Sequence, residues 1–113
     1  MADGLPTRRG HRITVEPSNR HVRAVRGDQV LAESDEALVL HEEGSPDAYY
    51  IPFQDVRLDL LTPSDTRTNC PFKGDASYWS LPDAADLAWA YLDPKPEVAE
   101  IKNHVCFYEV QVF

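Results

Sequence analysis

The sequence predicts a small, mainly β domain, and three observations carry that reading. Short stretches of alternating or apolar residues recur along the chain. Clusters of Gly, Pro, Asn, Asp and Ser separate them. Only one segment has the spacing of a helix. Consecutive short strands joined by turns favour antiparallel pairing, and the count is seven or eight strands plus one short helix near residues 82–92.

The elements follow in chain order. Residues 1–11 read as a polar, flexible N-terminus ahead of a single domain over 12–113. Ile13 to Glu16 alternate, and Pro17-Ser18-Asn19 supplies a turn. Val22 to Arg26 and Gln29 to Ala32 flank Gly27-Asp28, a tight-turn pair because glycine tolerates positive φ. Ala37 to Leu40 is a short apolar run, as in a strand covered on both faces. Ala48 to Ile51 is rich in strand formers and stops at Pro52. Val56, Leu58 and Leu60 alternate with their neighbours and suggest another strand.

Residues 62–75 break the pattern. They hold two prolines, a glycine and many Ser, Thr, Asn and Asp residues, and read as a long ordered loop of the functional kind. Ala76 to Trp79 is strand-like. Ser80, Pro82 and Asp83 resemble a helix cap, and Ala84, Leu87, Ala88 and Tyr91 form a stripe at helical spacing. Pro94 and Pro96 would stop that helix. Val105 to Phe113 alternates cleanly as a last strand.

Composition narrows the function classes. The chain has 113 residues, the size of one domain, and a formal charge of −8. That sign repels phosphate backbones and anionic membrane surfaces, so neither nucleic acid nor membrane is an expected partner. The early arginines, Arg8 to Arg26, are interrupted by Glu16 and Pro17 and carry no interleaved aromatic residue. Two cysteines, no apolar leader and no stretch of about 20 apolar residues point to the cytoplasm with reduced thiols.

The residues able to carry chemistry gather around the 62–75 loop. Cys70 lies near Lys73, whose ammonium would favour the thiolate, so the pair is the candidate catalytic set. The alternative is a thiol packed as a small hydrophobe. A pocket beneath the loop would combine the rings of Tyr50, Tyr78 and Trp79 with Arg57, Cys70, Lys73 and Gly74. Arg57 and Lys73 supply cationic groups for an anionic ligand. Alternatively they pair with Asp59, Asp65 or Asp75. His104 and Cys106, with Cys70, fall short of a zinc set, and no metal or cofactor is expected.

The segments Tyr49-Tyr50-Ile51-Pro52, Asp55-Val56-Arg57, Pro63-Ser64-Asp65, Cys70-Pro71, Lys73-Gly74 and Ala76-Ser77-Tyr78-Trp79 resemble the domain-of-unknown-function family 427. Ala88-Trp89, Tyr91, Pro94, Pro96 and Phe107-Tyr108 extend the likeness from about Ile13 to Val112. The resemblance implies two antiparallel sheets meeting at an angle, a β-tent, and attaches no firm reaction. One label for the family mentions nucleotidyl transfer. Such enzymes combine a Gly-Ser element with metal-holding carboxylates at D-x-D spacing, and this chain lacks that arrangement. The first reading is therefore a binding domain for a small anionic or planar ligand beneath the loop. A cysteine-dependent enzyme and an acidic protein-interaction module stand as alternatives, and the oligomeric state stays open.

Overall fold

The computed structural model describes residues 12–113. The expected flexible N-terminus at 1–11 lies outside the described residues. Among the described residues, ten strands form two antiparallel sheets: β1 (Ile13–Pro17), β2 (Val22–Arg26), β3 (Gln29–Ser34), β4 (Leu38–Glu42), β5 (Ala48–Pro52), β6 (Thr62–Cys70), β7 (Gly74–Leu81), β8 (Ala84–Tyr91), β9 (His104–Phe107) and β10 (Gln111–Val112). Seven strands run β1-β4-β5-β9-β8-β7-β6, and three run β10-β2-β3. The mainly β class is as the sequence predicts.

Alternation assigns the faces of the large sheet. Ile51, Ala88, Ala90, Val105 and Phe107 point at the small sheet and pack with its Val22, Ala24, Leu31 and Ala32. Tyr50, Ala76, Tyr91 and Cys106 point the other way. That second face is closed by Val98 and Ile101 of the 3₁₀ segment Pro96–Ile101. The central strands are thus covered on both sides. The small sheet is fastened at its β3 edge, where Ala32 bridges to Val56. There the buried Ser34 hydroxyl donates to Asp55 Oδ2 at 2.6 Å and accepts from the Glu36 amide.

Four expectations are corrected. Residues 82–92 are not a helix: Ala84–Tyr91 is β8, paired with β7 from Ala76↔Tyr91 to Leu81↔Ala84. Pro82 and Asp83 make the two-residue turn between those strands, and Ser80 Oγ accepts from the Asp86 amide at 2.8 Å instead of capping. Residues 62–75 are not a loop but most of the β6–β7 hairpin, with Cys70 opposite Gly74. Polar β6 is an edge strand, so its composition suits a solvated rim. Residues 56–61 hold one bridge and a 3₁₀ turn at Leu58–Leu60, not a strand. Finally, 105–113 is two strands. β9 belongs to the large sheet and β10 to the small one, so residues 108–110 carry the chain from one sheet to the other.

Two histidines lace strands together on the surface. His21 sits between Glu33 and Asp35, with both contacts 2.6 Å. His41 sits between Glu16 and Asp47 at 2.9 and 2.8 Å, joining the outermost strand β1 to the β4–β5 connection. Hydrogen bonds to carboxylates raise both imidazoles above their ordinary value of 6.5: Asp35 leads for His21 and Asp47 for His41. The folded chain then holds each proton more tightly than the unfolded chain. The stabilisation is complete below pH about 6.5 and is lost as pH rises through the raised values. NMR titration should give both histidines midpoints above 6.5. The His41→Asn variant should flatten the decline in stability across that window, and ordinary midpoints would contradict the arrangement.

Candidate functional site

The β6–β7 hairpin gathers five of the seven expected site residues near one face of the large sheet. Cys70 and Tyr78 pack around the cluster that contains buried Tyr50. Lys73 lies in the connection between the strands, its amide bonded to the Cys70 carbonyl at 3.2 Å. Gly74 adopts φ +119, and a Cβ there would meet the Asp93 carbonyl at 3.3 Å. The residue thus admits the neighbouring chain, and the Lys95 amide donates to the Lys73 carbonyl alongside it.

The other two residues lie elsewhere. Trp79 faces the small sheet and meets Phe53 edge to face at 6.4 Å. Arg57 is exposed and forms a two-pronged pair with Asp59 at 3.0 and 2.9 Å. The guanidinium in turn holds the Asp59 carboxyl below its usual range.

Lys73 is held by the large sheet. Its Nζ lies 2.9 Å from Glu42 Oε1 of β4, with both side chains mostly buried (14% and 13% exposed), and sits 5.7 Å from the Tyr91 ring centre. The partner comes from the sheet and not from the hairpin's own carboxylates. Burial pushes the Tyr91 and Tyr50 hydroxyls well above the usual phenol range, and Tyr50 also bonds with the Trp89 side chain. Burial likewise pushes the Cys106 thiol up to about 12, against the opposing pull of Lys73. Cys70 is half-buried and Cys106 buried, and neither is in a disulfide. Among the described residues, no three His, Cys, Asp or Glu side chains are arranged to hold a metal ion. No helix of the described residues is long and apolar enough to cross a membrane.

A concave feature lies on the opposite face. A cleft of about 360 Å³ opens between the sheets, lined by Ala24, Val25 and Arg26 of β2, Leu31 of β3, Ala84, Ala85 and Leu87 of β8, and Phe107 with the crossing residues Tyr108 and Glu109. Its floor is the buried trio Ala24, Leu31 and Phe107. The space exists because alanines stand where larger side chains would fill it. Arg26 marks the mouth, held loosely by Asp83 with Nη2 3.7 Å from Oδ2. Sequence reasoning missed this site because it requires 84–91 to be a strand. Read as a helix, those alanines become an ordinary packing stripe.

Two outcomes test the assignment on the hairpin face. Breaking a largely buried pair by Lys73→Met should cost about 3 kcal/mol in urea unfolding. Adding Glu42→Leu should recover most of that loss, because no uncompensated carboxylate then remains buried. Alkylation should spare Cys106 until the protein unfolds, since thiolate is scarce and access closed. Fast native labelling of Cys106 would contradict its position.

Residues 14–112 match the family described as Domain of unknown function (DUF427). No curated protein matches the chain.

Proposed function

We propose, for a chain that belongs to the family DUF427, that it is a binding domain whose site is the cleft between the two sheets. The ligand is small and flat, with an apolar face and a polar edge. The cleft itself carries this reading: about 360 Å³, an apolar floor of Ala24, Leu31 and Phe107, and a polar rim that includes Arg26 and Glu109. Its volume is that of a small-ligand pocket. The expected ligand class is retained in its flat form. The location moves from beneath residues 62–75 to the far side of the sheet, where alanines leave room.

The catalytic reading of Cys70 and Lys73 draws less support. The Lys73 ammonium is engaged by Glu42 and set against Tyr91, and the neighbouring chain at Asp93–Lys95 crowds Gly74. The charge of −8 still argues against polyanionic partners.

Screening planar heterocycles such as indole, quinoline and adenine by amide NMR shifts checks the reading. Shifts should cluster at Ala24, Leu31, Ala85, Leu87 and Phe107. The exposed Ala85→Trp should abolish them by filling the mouth, with stability changed by less than about 1 kcal/mol. Shifts confined to residues 70–78 would return the site to the hairpin face.

A further inference from the structure

The cleft is bordered by strand edges as well as by side chains. Ala24, Val25 and Arg26 line the cleft in succession across the register shift between Ala24 and Val25, and Ala84 and Ala85 line it from the irregular start of β8. The ladders show where the edges are free. β10 pairs with β2 only at Val22 and Arg23, and β9 pairs with β8 only at Ala88 and Trp89. Among the described residues, these ladders stop short of Ala24–Arg26 and of Ala84–Asp86. The chain between β9 and β10 crosses at the head of the gap, where the Tyr108 amide donates to the Leu87 carbonyl at 3.2 Å.

From this geometry we infer that the ligand class of the cleft is a short extended peptide segment. It adds to the β2 edge in line with β10, as a strand does in β-augmentation. The inference rests on the reading of the cleft as the binding site. An extended chain is flat, and three residues at about 3.3 Å each span the free stretch of β2. The small side chains Ala24, Ala84 and Ala85 leave apolar room beside the added strand, which suits an occupant with apolar residues where it enters. Charge selects the flanks. Glu109 lines the cleft, Asp83 stands beside its mouth, and Arg26 is already turned toward Asp83. The surroundings are therefore net acidic and favour a peptide with lysine or arginine on either side of the apolar stretch. A free edge of this kind is a template for strand pairing. Because it faces into a cleft, the template admits one strand and not a growing sheet.

The test uses the unmodified protein and three synthetic peptides, followed by amide NMR shifts and fluorescence anisotropy. The first is acetyl-Lys-Ala-Val-Ala-Lys-amide, the second carries N-methyl groups on its valine and second alanine, and the third has glutamates in place of the lysines. The first should shift the amides of Ala24, Val25 and Arg26. N-methylation should weaken binding at least 10-fold by removing ladder donors, and the glutamate peptide should bind at least 10-fold more weakly. Equal binding of the methylated peptide, or shifts away from β2, would overturn the inference. If planar heterocycles occupy the cleft and the first peptide does not, the peptide inference fails and the binding-site reading stands. If neither occupies it, both fail.

Discussion

Ala88 and Ala90, both fully buried, set the distance at which the three-stranded sheet lies on the seven-stranded one. A larger side chain at either position would drive the sheets apart, because interiors are packed near crystal density. The small sheet meets that surface with Val22, Ala24, Leu31 and Ala32, and Val105 and Phe107 complete the layer. Close approach is obtained in the middle, and the layer runs out toward Ala84 and Ala85. There the apolar layer between the sheets ends, Arg26 of β2 reaches Asp83 of the β7–β8 turn, and the cleft between the two sheets is the consequence. Core and cavity thus arise from one run of small residues on β8.

The same strand binds the other face. Trp89 and Tyr91 alternate with those alanines and carry large rings to the opposite side, where Tyr50, Cys106, Val98 and Ile101 enclose them. A charged pair there needs compensation. Lys73 and Glu42 supply it to each other, fastening the hairpin connection to β4 across the sheet. Burial of such a pair contributes less net stability than its Coulomb attraction suggests, but it fixes which strand lies where, since any other register leaves a buried charge unpaired. On this account Lys73 positions the hairpin, and the proposed binding surface lies on the far side of the sheet.

Much of this arrangement was legible in the sequence. The first five strands follow, to within a residue or two at their ends, from alternation at 13–16 and 22–26, from the apolar run 37–40, from the strand formers at 48–51, and from turn residues such as Gly27, which takes φ +61. Residues 84–91 misled because an alanine-rich, mostly apolar strand with a single charge, Asp86, also fits a helical stripe. Ser80, Pro82 and Asp83 strengthened the wrong reading, since the residues that cap a helix also build a two-residue turn. Residues 62–70 misled for the opposite reason: an edge strand facing water carries the Ser, Thr and Asn content of a loop. The family resemblance correctly implied two sheets. The clustering of Tyr50, Cys70, Lys73 and Tyr78 was also legible, but not that Lys73 would meet Glu42, 31 residues away in sequence. The cleft was invisible because it depends on where ladders end, which alternation does not encode.

The central claim is that 84–91 is a strand whose later half packs on both faces, with Ala88, Ala90 and Tyr91 buried, and that the cleft begins where its pairing to β9 ends. Native-state amide hydrogen exchange, assigned by NMR, tests it most directly. The account predicts slow exchange close to the global limit in the centre of β8 and β9, at Ala88 to Ala90 and Val105 to Phe107. It predicts exchange faster by orders of magnitude where the β8 edge borders the cleft, at Ala84 and Ala85, and cross-strand contacts between the Hα atoms or amides of Ala88 and Phe107. Uniform protection from Ala84 to Tyr91 with helical contacts three residues apart would contradict it.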